Sequence, residues 1–94
     1  MEKHFVYIMA NKRNGTLYIG YTNNLKRRVK EHKRANRETF TQRYEINKLV
    51  YYETHDGEKL AFRRERQMKK WYREWKIKLI EEFNPEWKDL YDEL

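Results

Sequence analysis

The chain contains no cysteine. A disulfide framework, a thiolate nucleophile and a sulfur-ligated zinc site are therefore excluded. One proline and three glycines in 94 residues exclude a low-complexity linker. No apolar run approaches the roughly 20 residues of a membrane helix. The opening Met1-Glu2-Lys3-His4 lacks both the length and the small-residue cleavage site of a secretion signal. These absences lead us to expect a cytoplasmic protein that does not enter a membrane. Its length admits one small core, so residues 1–94 are expected to form a single domain.

What is abundant is charge and ring area. Charged residues make up 39% of the chain, a content compatible with disorder. Three Trp, eight Tyr and four Phe argue the other way, because they supply the material of a packed core. The charge is also unevenly placed. Residues 81–94 hold six acidic side chains and one basic, a net of −5; the first 80 hold 21 basic and nine acidic, a net of +12. A body that basic attracts polyanions through salt-dependent phosphate contacts. A nucleic acid, DNA or RNA, is the expected partner. A membrane surface fits less well, because the cations are not confined to one amphipathic helix.

The apolar pattern predicts the elements. Residues 4–10 and 16–22 alternate as strands around Asn14-Gly15, which marks a hairpin turn. Phe5, Tyr7 and Met9 fall on one face of the first strand, Val6 and Ile8 on the other. Thr22-Asn23-Asn24 offers caps for a basic helix from about residue 24 to 36, with Leu25 and Val29 as its apolar positions. A polar loop is expected at 36–44 and a third strand at 46–53. Asp56-Gly57 marks a turn, and helical periodicity then runs to Phe83 with a break near 71–73. Ala61, Glu65, Met68 and Tyr72 form one stripe, and Trp75, Leu79 and Phe83 a further one. Asn84-Pro85 closes the last long helix, ahead of a short C-terminal helix. The expected fold is α+β: a small three-stranded antiparallel sheet flanked by helices, in the order β-β-α-β-α-α.

Five residues invite a chemical reading. Tyr7 and Tyr18 lie on the two strands of the hairpin. Arg28 and His32 are one helical turn apart and share a face. Glu65 puts a carboxylate on an otherwise apolar stripe, where its charge is costly unless it is paired or binds a cation. Each has a plainer reading. Strand tyrosines usually pack, Lys26-Arg27-Arg28 reads as a solvated run, and Glu65 reads as half of an internal ion pair, with Arg28 as one candidate partner.

Taken together, Phe5-Val6-Tyr7, then Tyr18-Ile19-Gly20 eleven residues on, then Arg28 and His32, resemble the GIY-YIG nuclease superfamily. The stretch from Gly15 to His32 is similar to small stand-alone bacterial members related to the incision domain of the excision-repair endonuclease. The likeness continues through Ala61-Phe62-Arg63-Arg64-Glu65 and Asn84-Pro85-Glu86-Trp87. One position departs: Phe5 stands where the family name has Gly, a place commonly relaxed in the small members.

The resemblance implies a metal-dependent phosphodiesterase acting on DNA, directed by DNA structure or a partner, with a role in repair or recombination. Tyr7, Tyr18, Arg28 and His32 become catalytic residues and Glu65 the ligand of one Mg²⁺ or Mn²⁺ ion. Asn84 matches a late family asparagine. Lys26, Arg27, Lys30 and Lys33 are the expected nucleic-acid contacts. The chemistry is consistent with these roles. A hydrated ion held by one carboxylate is the habit of Mg²⁺, and Arg forks onto two phosphate oxygens where Lys does not. A tyrosine acting as base at neutral pH needs roughly 4 kcal/mol of help, and the sequence does not choose between Tyr7 and Tyr18. Two other readings compete: a nucleic-acid-binding module without turnover, and a partner-dependent subunit of a larger nuclease assembly. The chain is expected as a monomer or homodimer. Its acidic tail, with Trp87, Leu90, Tyr91 and Leu94, is read first as a cover for its own core and second as a docking segment for a protein partner.

Overall fold

Alternating apolar side chains build the first two strands. In the computed structural model, which describes residues 2–34 and 45–94, β1 spans Lys3–Ala10 and β2 spans Leu17–Thr22. They pair antiparallel, with Tyr7 opposite Gly20 and Met9 opposite Tyr18. In the connecting turn Asn14 takes φ of 56°, the left-handed region that Asn tolerates. β3 (Lys48–Asp56) pairs antiparallel with the other side of β1, giving the sheet order β2-β1-β3. The expected α+β architecture and element order are what the structure shows.

Each face of the sheet carries its own core. Tyr7, Met9 and Leu49 are buried with Leu25 and Val29 of α1 (Leu25–Lys33). Val6, Ile8 and Val50 are buried on the opposite face with Ala61 and Met68 of α2 (Glu58–Lys69), and with Ile80 of α3 (Arg73–Phe83). Strand alternation thus sends Tyr7 towards α1 and its neighbours towards α2. A register irregularity between Ile8 and Met9 lets Val50 and Tyr51 both join the α2 face. α1 starts where Asn24 caps it, its side-chain oxygen accepting from Arg27 N at 3.1 Å; such a cap is worth about 1 kcal/mol.

Several boundaries differ from the sequence reading. α1 ends at Lys33, because Arg34 takes an extended conformation. The loop expected at 36–44 lies outside the described residues. β3 begins two residues later than expected and runs on to Asp56, because β1 starts at Lys3 and offers partners to His55 and Asp56. The break between α2 and α3 lies where expected, and Ala61, Glu65 and Met68 are buried as one stripe, but positions beyond the break depart from the reading. Tyr72 caps α3 and is 66% exposed. Trp75 and Phe83 are also exposed, while Ile80 is fully buried. Ile80 thus anchors α3 in the core with Ile77 and Leu79 packed beside it, and Phe83, though half-exposed, meets the Tyr51 and Tyr52 rings of β3 edge to face.

The tail covers its own core. Trp87 is buried in the α2-side cluster and Leu90, in a short 3₁₀ helix (Leu90–Glu93), in the α1-side cluster. Lys33 is bonded to Asp89 and also donates to Asn47 O at 2.8 Å. No helix among the described residues is long and apolar enough to cross a membrane.

Candidate active site at the edge of the sheet

Tyr7 sits on β1, the central strand, yet its hydroxyl reaches across β2, the edge strand. Gly20 makes this crossing possible. A Cβ built on Gly20 would lie 2.6 Å from Tyr7 Oη and 2.8 Å from Tyr7 Cζ, far inside van der Waals contact. The bare backbone of Gly20 is the channel for the ring. Sequence reasoning quoted this glycine only as part of a triplet; the cross-strand register, Tyr7 opposite Gly20, is the signal that explains it.

Three rings meet there. Tyr7 and Tyr18 have centroids 6.3 Å apart, Tyr18 and His32 5.1 Å, and Tyr7 and His32 5.8 Å. Tyr7 Oη lies 3.0 Å from His32 Nε2. Burial holds the Tyr7 phenol well above its usual range, Tyr18 and the negative charge of Glu65 push it further, and the positive charge of Arg28 opposes them. The Tyr7 hydroxyl therefore keeps its proton at neutral pH. Burial lowers the pKa of His32, with the Arg28 charge adding to the effect and Glu31 working against it. Its ring is neutral at pH 7. With a protonated phenol facing a neutral imidazole, the direction that suits both is Tyr7 O–H donating to Nε2.

Arg28 and Glu65 approach from opposite faces. Arg28 projects from α1, half-exposed, with Glu31 one turn on at 3.7 Å. It borders a hollow of about 390 Å³ with His4, Thr22, Asn23 and Glu58. Glu65 comes from α2, which packs against β1 and β2 from the other side. Its residue is only 7% exposed, and Lys69 lies 3.2 Å away on the next turn. Both charges act on the Tyr7 phenol. The structure thus brings Tyr7, Tyr18 and His32 into contact and sets Arg28 and Glu65 within electrostatic reach. The ion pair foreseen for Glu65 exists, but its partner is Lys69 rather than Arg28.

Other candidate residues are placed differently. Lys26, Arg27 and Lys30 are exposed on α1, whereas Lys33 is committed to Asp89 and Asn47. Asn84 is buried, donating to Val50 O at 3.1 Å and Lys88 O at 2.8 Å and accepting from Lys88 N at 3.1 Å. Its amide ties the tail to β3.

The donor set decides which cation would fit. Among the described residues no three His, Cys, Asp or Glu side chains form a metal-holding group. A zinc-like site with three or four protein ligands is therefore not built among the described residues. A single buried carboxylate, paired with a half-exposed lysine, suits an ion that keeps most of its own hydration shell.

A hairpin carrying both tyrosines, a basic helix carrying Arg28 and His32, and an acid on the helix after β3 define a GIY-YIG catalytic domain. Residues 3–78 match that domain, and the chain belongs to the family. The domain is a nuclease domain, so nucleic acid is the substrate class it implies. More particularly, the chain is similar to UPF0213 proteins. One from Staphylococcus haemolyticus is 39% identical over 82 residues, covering 87% of this chain and 99% of the relative. One from Staphylococcus saprophyticus is 35% identical with the same coverage. The solution NMR structure of a UPF0213 protein from Bacillus halodurans superposes with a TM-score of 0.51 at 29% identity, covering 83% of this chain and 82% of that one.

Proposed function

We propose that this protein hydrolyses phosphodiester bonds in DNA as an endonuclease, with one Mg²⁺ or Mn²⁺ ion held by Glu65. The observation that carries this reading is the Tyr7–Tyr18–His32 cluster, 3.0 Å at its closest bond, with the charges of Arg28 and Glu65 both acting on it. Arg28 forks onto the non-bridging oxygens of the scissile phosphate and stabilises the charge that grows there. A raised pKa makes Tyr7 a poor base alone, but His32 supplies the missing acceptor. As Tyr7 Oη takes a proton from the attacking water, its own proton passes to Nε2, leaving the phenol unchanged and the imidazole charged. Tyr18, against both rings, orients the water or the phosphate. When bound, the cation offsets charge on the phosphoryl and leaving oxygens. Lys26, Arg27 and Lys30 contact the backbone of the DNA, and such contacts set position rather than sequence. Weak sequence preference follows, with DNA structure or a protein partner choosing the target, in repair or recombination. A cytoplasmic place of action, where bacterial DNA lies, belongs to the same reading.

The test is nicking of supercoiled plasmid and branched DNA with Mg²⁺ or Mn²⁺. Arg28→Ala and Glu65→Gln are each expected to lose at least about 100-fold in rate, and EDTA to abolish cleavage. Equal cleavage by wild type and both variants contradicts the assignment. Salt-dependent binding without cleavage under any divalent ion leaves a binding module in its place.

A further inference from the structure

The ring-bearing side of α3 is left bare. Tyr72 is 66% exposed and Trp75 51% exposed. Their rings meet edge to face at 5.1 Å, and Trp71 joins them 6.3 Å from Trp75. Arg64 lies over the Trp71 ring, 5.0 Å from its centre. Trp71, Trp75, Lys78, Leu79 and Glu82 line a shallow groove of about 440 Å³. Exposed rings of this size are uncommon without a partner.

The surrounding charge indicates what kind of partner. Residues 63–78 contain eight Lys or Arg and two Glu, a net of +6. Arg73, one residue from Tyr72, donates to Asn14 O at 2.7 Å and also to Gly15 O. Lys76, next to Trp75, joins Arg73 and Lys12 around a hollow of about 610 Å³ whose lining has three cations and no carboxylate. Burial lowers the pKa of Lys76, and the charge of Arg73 adds to the effect. Rings flanked by a cationic track are what an unpaired nucleic-acid strand requires: every base has a face to stack, and the phosphates need positive charge. A double helix buries its base faces and gains nothing from Tyr72 and Trp75. An acidic protein segment would satisfy the cations without using the flat faces of the rings.

We infer that Tyr72 and Trp75, with Arg73 and Lys76 beside them, bind an unpaired nucleic-acid strand by stacking its bases. The inference rests on the proposed function for its ligand class. It adds that the preferred target has a single-stranded stretch next to the cleavage site. Tyr72 lies three residues beyond Lys69, the last residue of the helix that carries Glu65, so strand and site sit on adjoining elements.

The experiment uses fluorescein-labelled (dT)₁₂ and a 12-base-pair duplex, titrated with the full chain in EDTA and followed by anisotropy. Wild type is expected to favour (dT)₁₂. Tyr72→Ala and Trp75→Ala are each expected to weaken (dT)₁₂ binding roughly tenfold and leave duplex binding unchanged, while Trp75→Phe recovers most of the loss. Both positions are exposed, so circular dichroism should match wild type. Unchanged (dT)₁₂ affinity in both alanine variants overturns the inference. So does a parallel loss for strand and duplex, or a drop in sedimentation coefficient showing that the rings join two copies of the chain. Because no metal is present, the result is independent of hydrolysis. Stacking without nicking removes the nuclease assignment alone, and nicking without stacking removes this inference alone.

Discussion

At the scale of single residues, the site depends on what Gly20 lacks. Gly20→Ala must move the Tyr7 hydroxyl, since the new methyl would lie 2.6 Å from it. Overpacking of this kind costs about 1–3 kcal/mol, and displacing a reacting group by about 1 Å costs roughly 100-fold in rate. The variant is therefore expected to fold, to melt lower, and to cleave at least about 100-fold more slowly. Full activity in Gly20→Ala would show that the position of the Tyr7 hydroxyl is not used. The His32 environment makes a second prediction at this scale. Its pKa is lowered by burial and by Arg28, so the neutral acceptor persists below the usual histidine range and is lost only in more acid solution. The rate should therefore hold through about pH 6.5, the ordinary histidine value, and fall only in more acid solution. His32→Gln should slow cleavage by roughly 100-fold or more and flatten that limb. An unchanged acid limb in the variant would assign it to another group.

At the scale of elements, a clamp between β3 and α2 holds Glu65 in place. Glu53 on β3 accepts from Tyr51, from His55 and from Arg64 of α2, the last through Nε at 2.9 Å and Nη2 at 3.3 Å. Burial works against the Glu53 charge, but the bonds from Tyr51, Arg64 and His55 and the charge of Arg64 outweigh it, so the carboxyl sits below its usual range. A depressed carboxyl pKa contributes stability above the unfolded value, lost as pH falls through the folded one. Glu53→Gln should therefore cost about 2 kcal/mol at pH 7 and progressively less as pH falls below about 4.5, measured by urea denaturation. A cost that stays constant across that range would mean that ionisation of Glu53 is not what stabilises the clamp.

The legibility of the sequence also divides at this scale. Strand alternation placed β1 and β2, and the Asn24 cap placed the start of α1, because both are local signals. The stripes of α3 misled, because two interleaved faces were apolar enough. Ring size favours Tyr72 and Trp75, which stay exposed, whereas the core takes Ile80 and β3 meets Phe83. Tyr7, Tyr18, Arg28, His32 and Glu65 were legible as a family pattern. The roles of Gly20, Glu53 and Lys33 were not, because each depends on a partner from another element, 56 positions away in the Lys33–Asp89 bond.

At the scale of the whole molecule, the tail belongs to the fold. Trp87 is fully buried, takes φ of 56°, and donates its indole N–H to Glu81 at 2.9 Å. A residue held in that backbone region needs its burial to keep it there. Trp87→Ala is expected to cost about 3–5 kcal/mol, read from the urea midpoint at constant slope. A loss below about 1 kcal/mol would mean that the tail is dispensable to the core. The same packing keeps the acidic segment on the body, where Asp89 neutralises Lys33 and leaves Lys26, Arg27 and Lys30 to the solvent.

The claim beneath all of this is that residues from both faces of the sheet form one cation-dependent centre. Paramagnetic broadening by Mn²⁺ tests it most directly. As Mn²⁺ is added, the ring signals of Tyr7, Tyr18 and His32 should broaden first, and in Glu65→Gln they should stay sharp at the same concentration. Broadening centred elsewhere, or identical in the two proteins, would contradict the account.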